Sequence, residues 1–187
     1  MKRVCDSASG VIRVPEPWGV GSLSDGNGYI IMDYIKFSSR GKQNLQSELG
    51  RGLALMHSAI SEENTFGFPL DGCCGAAPQL NNVQRRFMSW VDFWREFRLG
   101  AQLSMAKDNY PKDTQLQYRG AELSMRLEEL FCMLNPDDIH PSLLHGDLWS
   151  GNYSADEEGK PCIYDPAAYY GHSEADLGIA YMFGGFD

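Results

Sequence analysis

Residues 145–152 contain the side chains whose types and spacing indicate chemistry. The segment reads His-Gly-Asp-Leu-Trp-Ser-Gly-Asn, so Asp147 lies five positions before Asn152. A third polar group, Asp165, follows a short apolar run that ends at Tyr164. An aspartate, an asparagine five positions later and an aspartate after the next strand are typical of a phosphotransferase catalytic loop and its metal-binding aspartate. The sequence therefore predicts phosphoryl transfer to a hydroxyl group.

Each of these side chains has a definite role in that chemistry. We predict Asp147 as the catalytic base, because a carboxylate near the acceptor hydroxyl can orient it and take its proton. We predict Asn152 and Asp165 as ligands of Mg²⁺, a hard cation that prefers oxygen ligands. His145 is expected to brace the loop through backbone contacts. The alternative is a solvated β-hairpin, since Asp, Gly and Asn are common turn residues, but three matching features in order favour the phosphotransferase.

The surrounding pattern predicts short strands and amphipathic helices. Apolar runs at 142–145 and 162–164 predict two strands, and we expect them to be paired so that one short loop brings the polar groups together. Residues spaced by three and four predict a helix over about 43–59 and two helical stripes in the second half of the chain. The remaining expectations are a buried strand at 29–34 and an irregular connection over 61–82. Apolar helical faces are expected at 90–105, where the Trp90, Trp94 and Phe97 face is core, and at 116–134, and a final helix is expected over 173–182, capped by Ser173.

Composition excludes several classes of function. With 16 Lys and Arg against 25 Asp and Glu, the formal net charge is −9 and the pI is near 4.9. An acidic surface repels nucleic acids and anionic membranes, so we expect neither as a partner. We also expect no membrane span and no signal peptide. The five cysteines are odd in number and lack Cys-x-x-Cys spacing, which indicates reduced thiols in an intracellular protein, in the cytosol or an organelle.

Several segments of the chain resemble the fructosamine-3-kinase family, also called ketosamine-3-kinases or protein-ribulosamine 3-kinases. The resemblance rests on residues 145–152, on Tyr-Asp-Pro-Ala-Ala-Tyr-Tyr-Gly-His-Ser-Glu-Ala-Asp-Leu at 164–177 and on Met-Phe-Gly-Gly-Phe at 182–186. It extends upstream to Val-Pro-Glu-Pro at 14–17 and so covers nearly all of the chain after residue 10. The tryptophan in the loop and the Tyr-Gly-His-Ser-Glu run are its most specific features.

This resemblance implies an α+β, protein-kinase-like fold related to aminoglycoside phosphotransferases. Residues 11–36 would be a remnant of the N-lobe sheet with the hinge, and residues 37–187 the helical C-lobe. The implied activity is ATP-dependent, Mg²⁺-assisted phosphorylation of the 3-hydroxyl of ketosamines on glycated proteins or small amines. A phosphate at C3 becomes a leaving group once the neighbouring carbonyl enolises, so the reaction would begin deglycation.

The resemblance also implies roles for further residues. Trp149 would present an aromatic face to the sugar, or else be a core tryptophan beneath the loop. His172 and Glu174 would line the acceptor pocket, although helix capping and packing explain them equally well. Asp176 would support the catalytic loop, whereas His57 is expected to pack at a helix end. The implied nucleotide-binding hinge comprises Met32, Asp33, Tyr34 and Ile35.

The chain departs from the kinase pattern in its first residues. Kinase-like proteins carry a glycine-rich phosphate loop, a strand lysine and a helix glutamate before the hinge, and residues 1–10 contain none of these as a unit. Family members also continue beyond the Phe-Gly-Gly-Phe run. We therefore expect this chain by itself to bind Mg-nucleotide weakly and to turn over poorly or not at all.

Three other functions remain open at this stage. The first is a phosphotransferase for another small hydroxyl acceptor, of the aminoglycoside or choline type. The second is a non-catalytic or catalytically impaired fragment that kept the C-lobe. The third, a metal-dependent hydrolase, is weakened because histidine ligands at suitable spacing are missing from the sequence.

Overall fold

Short strands and helices alternate along the chain, as an α+β fold requires. The structure is a computed structural model that describes residues 1–8, 10–38, 44–81 and 87–186. The α-helices are α1 (Lys2–Ala8), α2 (Leu45–His57), α3 (Trp90–Phe93), α4 (Ala101–Asn109), α5 (Thr114–Met125), α6 (Leu127–Leu130) and α7 (Ala175–Phe183). The strands are β1 (Pro17–Ser22), β2 (Gly28–Met32), β3 (Phe37–Ser38), β4 (Gly72–Cys74), β5 (Ala77–Gln79), β6 (Ser142–Leu144), β7 (Tyr153–Asp156), β8 (Pro161–Ile163) and β9 (Tyr169–Gly171).

The described strands form four small antiparallel sheets. Their orders are β1-β2, β3-β7-β8, β4-β5 and β6-β9. The predicted pairing of the strand before Asp147 with the strand before Asp165 is wrong, because β6 pairs with β9 and β8 pairs with β7. The physical reason is the 3₁₀ turn Ser150–Asn152, which leads directly into β7 and places that strand beside β8.

Two apolar clusters meet at β6. Leu143 belongs to a cluster that joins α1 and α2, whereas Leu144 belongs to an aromatic cluster around Trp90 and Phe93. Successive side chains of a strand point to opposite faces, and both leucines are fully buried. The strand that leads into residues 145–152 is therefore held from both sides.

The observed helices differ from the predicted ones mainly in their ends. The helix predicted over 43–59 is α2, which ends at His57; residue 43 lies outside the described residues. The final helix begins at Ala175 and ends at Phe183, and Ser173 is not its cap. Glu174, the residue just before this helix, donates its backbone N–H to Nδ1 of His172 at 3.1 Å.

The predicted burial of the strand at 29–34 is wrong. Every residue of β2 is exposed, because in the described chain this strand pairs only with β1. The apolar face predicted at 116–134 is mostly exposed: Leu127 is fully buried, whereas Leu130 is 61 % exposed. Helical periodicity identifies the apolar face of a helix, but burial of that face needs a neighbouring element.

Two local features were not predicted. The helix through residues 90–109 contains a π-helical segment, Trp94–Gly100, between α3 and α4. The connection expected over 61–82 contains the hairpin of β4 and β5; residue 82 lies outside the described residues. A π segment inserts extra backbone into a helix and often occurs near functional sites. The hairpin lies close to the loop at 145–152, because the Cys74 thiol is near the Asp147 carboxylate.

Candidate active site

The loop at 145–152 begins immediately after β6 and turns sharply at Gly146. Gly146 has a φ of 82°, in the left-handed region that favours glycine. A Cβ at this position would overlap the carbonyl oxygen of Ala167. Both the backbone angle and the close approach therefore require glycine between His145 and Asp147.

A buried carboxylate holds the start of this loop. Asp176, at the beginning of α7, accepts hydrogen bonds from the backbone N–H groups of His145 at 2.8 Å and Gly146 at 2.7 Å. Its Oδ2 also lies 3.0 Å from Nε2 of His57, the last residue of α2. Asp176 is 1 % exposed, so a charge here must be well paired. His57 therefore does more than pack at a helix end, because it links α2 to the carboxylate that holds the loop.

His145 is fully buried and connects the two polar segments of the site. Its Nε2 lies 3.0 Å from the carbonyl oxygen of Tyr164, and its Nδ1 accepts from the N–H of Asp147 at 3.3 Å. Burial lowers the pKa of His145, and this outweighs the opposing effect of the nearby Asp176 carboxylate. The neutral ring with its proton on Nε2 satisfies both contacts.

Asp147 and Asn152 form a hydrogen-bonded pair. The Asn152 Nδ2 group donates to Oδ2 of Asp147 at 3.0 Å and to the backbone carbonyl of Asp147 at 2.9 Å. Asn152 is buried, whereas Asp147 is partly exposed. The amide thus orients the carboxylate, which also interacts with the nearby Cys74 thiol through a side-chain hydrogen bond.

Asp165 follows β8 and lies beside the same loop. The N–H of Tyr164 donates to the carbonyl oxygen of Asn152 at 3.1 Å, which ties the two segments together. Asp165 has a φ of 56°, a strained conformation for a residue with a side chain and a frequent feature of functional sites. Its charge and that of Asp147 both act on His145. The structure thus brings Asp147, Asn152 and Asp165 together around one buried histidine.

The predicted hinge lines a cavity that also contains Asp165. This cavity has a volume of about 530 Å³, and its lining includes Met32, Asp33, Tyr34 and Ile35. The Asp33 carboxylate accepts from the indole Nε1 of Trp18 at 2.8 Å, and this bond lowers the pKa of Asp33. The side chain of Asp33 thereby fastens the hinge to β1. Within the described chain, the Asp33 carbonyl and the Ile35 N–H have no hydrogen-bond partner.

Trp149 and the two residues expected near the acceptor lie in different surroundings. Trp149 is 38 % exposed and is therefore not a core residue; its ring centroid lies 5.8 Å from that of Phe183. His172 packs 6.3 Å from the Trp90 ring and accepts from the Glu174 N–H. Burial lowers the pKa of His172. Neither His172 nor Glu174 lines the cavity that contains Asp165.

Sequence reasoning missed a contact between the loop and the β4–β5 hairpin. Burial raises the pKa of the Cys74 thiol, and the nearby carboxylates of Asp147 and Asp165 raise it further. Cys74 also lines a mostly apolar cavity of about 240 Å³ between this hairpin and the π-helical segment. Gln79, in the same wall, donates to the carbonyl oxygen of Ala167 at 2.8 Å. The Cys-Cys-Gly sequence at 73–75 was the available signal.

The oxygen ligands at this site fit magnesium better than a transition metal. In the part of the chain that the structure describes, no group of three or more His, Cys, Asp or Glu side chains could hold a metal ion. Asn152 uses its Nδ2 group for Asp147, which leaves its amide oxygen for a cation, and Asp165 adds a carboxylate. Mg²⁺ commonly takes one or two protein oxygens and completes its shell with water and phosphate.

Comparison with known proteins relates this site to one family. The model of the fructosamine kinase family matches residues 6–187. The chloroplastic protein-ribulosamine 3-kinase of Arabidopsis thaliana is 44 % identical over 173 residues, which cover 92 % of this chain and 50 % of that protein. The mouse ketosamine-3-kinase is 34 % identical over 201 residues, covering 95 % and 60 %. The chain thus spans about half the length of the Arabidopsis relative.

Solved structures confirm the kinase-like fold predicted from the sequence. A Haemophilus somnus protein named as a fructosamine-3-kinase superposes with a TM-score of 0.80 and 24 % identity, over 99 % of this chain and 58 % of that one. An aminoglycoside phosphotransferase in ternary complex with ADP and hygromycin B superposes with a TM-score of 0.60 and 18 % identity, over 95 % and 58 %. In the described residues, no helix has both the length and the apolar character needed to cross a membrane.

Proposed function

The chain belongs to the fructosamine kinase family, and on this basis we propose that it carries the catalytic loop of an ATP-dependent kinase for the 3-hydroxyl of ketosamines. The observation that carries the proposal is the hydrogen-bonded pair of Asp147 and Asn152 with Asp165 beside it. The names of the relatives support the acceptor class, since they are a protein-ribulosamine 3-kinase and a ketosamine-3-kinase. The chemistry of a ketosamine 3-phosphate makes the product the start of deglycation.

Asp147 is the proposed catalytic base. Asn152 donates to Oδ2 of this partly exposed carboxylate and holds it in one orientation, in which it would accept the proton of an acceptor hydroxyl. A base held in one orientation removes much of the entropic cost of reaching a reactive geometry. The hydroxyl oxygen then attacks the terminal phosphorus of ATP, the bond from that phosphorus to the ADP oxygen breaks, and ADP leaves.

Asn152 and Asp165 are the proposed ligands of Mg²⁺. When bound, Mg²⁺ would offset the negative charge of the nucleotide phosphates. The carbonyl oxygen and the side chain of Asn152 are both anchored, the first by Tyr164 and the second by Asp147. Binding a cation therefore requires little reorganisation of this residue.

The cavity of about 530 Å³ is the proposed nucleotide site. It contains the hinge at one part of its lining and Asp165 at another, so a nucleotide whose base meets the hinge would direct its phosphates toward the loop. The unpaired Asp33 carbonyl and Ile35 N–H offer one acceptor and one donor to an adenine edge. The proposed acceptor side includes Trp149, whose exposed aromatic face suits the C–H groups of a sugar.

Product formation tests this proposal. The 187-residue chain is incubated at high concentration with Mg-ATP and fructosylated lysine. Phosphorus-31 NMR then follows the appearance of a sugar 3-phosphate. We expect slow product formation that Asp147→Asn lowers by about 100-fold or more. Glu158→Gln, an exposed carboxylate-to-amide change in the β7–β8 turn, is the matched control and should leave the rate unchanged.

Two results would contradict the proposal. Transfer to an aminoglycoside or to choline, without transfer to any fructosylated or ribulosylated amine, would replace the acceptor class. A rate that Asp147→Asn leaves intact, in protein whose thermal unfolding matches that of the unchanged chain, would remove Asp147 from the mechanism.

A further inference from the structure

Helix α7 contacts the catalytic loop at both of its ends. At its start, Asp176 accepts from the backbone of residues 145 and 146. At its other end, residues 183–186, called here the covering segment, lie against residues 149 and 150 of the loop and against Tyr153 at the start of β7. The first contact explains how the loop is anchored. The second concerns Trp149, the residue proposed to meet the sugar.

Three contacts attach the covering segment to the loop. The Phe183 ring meets the Trp149 ring with centroids 5.8 Å apart and planes tilted by 53°. Gly185, with a φ of 85°, passes so close to Ser150 that a Cβ would overlap its side chain. The Phe186 ring stacks on Tyr153 with centroids 4.9 Å apart. The covering segment thus contacts the loop at Trp149 and Ser150 and contacts β7 at Tyr153.

The indole also rests on the backbone of its own loop. The N–H of Asn152 donates to the carbonyl oxygen of Trp149 at 2.9 Å, which closes the tight turn over residues 150–152. This turn brings Gly151 directly beneath the indole, and a Cβ at 151 would overlap the six-membered ring of Trp149. The φ of Gly151 does not lie in the left-handed region. Glycine is therefore required here by the closeness of the ring and not by the backbone angle.

We propose that Gly151 and Phe183 are positioning residues that set the plane of Trp149 and thereby the fit of the sugar acceptor. The inference rests on the proposed function, because it concerns the acceptor of that reaction. Trp149 keeps 38 % of its surface exposed while Gly151 and Phe183 each contact the ring. A ring held in this way binds a sugar with little loss of rotational freedom. A displaced ring would not lie parallel to the sugar and would lose contact with its C–H groups.

The test uses the 187-residue chain and two readouts. Acrylamide quenching of Trp149 fluorescence, obtained by subtracting the signal of Trp149→Phe, reports the position of the ring without ligand. Calorimetry reports the affinity for fructosylated lysine and, separately, for Mg-ATP. In Gly151→Ala and Phe183→Ala we expect stronger quenching and about tenfold weaker binding of fructosylated lysine, with the Mg-ATP affinity within twofold.

Matched controls isolate the two contacts. Gly178→Ala introduces the same methyl group on α7, where a Cβ meets nothing within 4 Å, and Tyr181→Ala removes a ring that is 93 % exposed. Both should leave quenching and binding unchanged. In a Trp149→Ala background, Gly151→Ala should cause no further loss of acceptor affinity, because its effect passes through the indole.

The possible failures are distinct. No binding of fructosylated or ribulosylated lysine to the unchanged chain would refute the proposed function. Binding by the unchanged chain that Gly151→Ala leaves intact, or unaltered quenching in both variants, would refute the positioning role. A further loss in the Trp149→Ala background would show that Gly151 acts on the loop as a whole, which also overturns the inference.

Discussion

At the scale of single residues, the site depends on groups whose charge and protonation are set by burial. His145 is fully buried between the carbonyl oxygen of Tyr164 and the N–H of Asp147. The second contact needs an unprotonated Nδ1, so a proton on that nitrogen would break it. The protonation of His145 is therefore linked to the position of Asp147.

This linkage predicts acid sensitivity. Because burial lowers the pKa of His145, the folded state binds this proton less readily than the unfolded chain does. The free energy of unfolding that His145 contributes is fully present above about pH 6.5 and decreases as the pH falls below that value. We expect the midpoint of thermal unfolding to fall between pH 7.5 and pH 5.5.

The variant His145→Gln separates this effect from general acid denaturation. It should be less stable at pH 7.5 but lose less stability on acidification than the unchanged chain. His172→Gln is the control. Burial also lowers the pKa of His172, but His172 is less buried than His145, so this variant should change the acid response less. An acid response of His145→Gln identical to that of the unchanged chain would assign the sensitivity to other groups.

At the scale of elements, α2 and α7 act together on the loop at 145–152. The link is Asp176, which accepts from His57 on α2 and from two N–H groups of the loop. Removing a buried acceptor leaves these donors without partners. Each donor left unpaired lowers the free energy of unfolding by about 1–3 kcal/mol. Loss of the Asp176 carboxylate would therefore free the backbone of the loop, whereas the apolar packing of α2 would remain.

We therefore predict that Asp176→Asn lowers the free energy of unfolding by about 2–4 kcal/mol. Amide hydrogen exchange at His145 and Gly146 should accelerate more than exchange within α2. His57→Ala should cause a smaller loss, because it removes one of the three contacts of the carboxylate. Equal acceleration along the whole chain would mean that Asp176 stabilises the molecule without holding the loop in particular.

The exposed stripe of α5 and α6 allows a matched comparison. Leu127 is fully buried, whereas Leu130, one turn later on α6, is 61 % exposed. We predict that Leu127→Ala lowers the free energy of unfolding by about 2–5 kcal/mol, the usual cost of a cavity in a core. Leu130→Ala should cost less than about 1 kcal/mol. Urea unfolding measures both, and similar losses would show that Leu130 is buried in solution.

At the scale of the whole molecule, the proposed nucleotide cavity joins parts that lie far apart in the chain. Its lining combines hinge residues 32–35 with Tyr164 and Asp165 after β8. A ligand that binds only the folded chain stabilises it in proportion to the logarithm of its concentration. Nucleotide binding is therefore measurable as a shift in thermal unfolding, without any turnover.

We predict that Mg-ATP raises the unfolding midpoint more than ATP with EDTA does, because Asn152 and Asp165 are the proposed oxygen ligands of the cation. Asp165→Asn should remove most of this magnesium dependence and retain a smaller shift from the nucleotide itself. Glu158→Gln is the control for a lost surface carboxylate. A magnesium effect of equal size in Asp165→Asn would exclude Asp165 as a ligand.

The sequence by itself predicted the chemistry and determined the local elements proposed to carry it. Asp147, Asn152 and Asp165 are recognisable from residue type and spacing, because phosphoryl transfer to a hydroxyl needs a base and oxygen ligands for magnesium in that order along the chain. The α2 helix is likewise visible, since its apolar residues repeat with the period of a helix. These properties depend on near neighbours in the sequence.

Only the tertiary structure decided which elements meet. The pairing of β6 with β9, the bond from His57 to Asp176 and the contact of Phe183 with Trp149 each join residues distant in sequence. The exposure of β2 and of Leu130 has the same origin, because burial depends on what packs against a face and not on the face itself. Long-range packing is a property of the folded chain, and no local pattern encodes it.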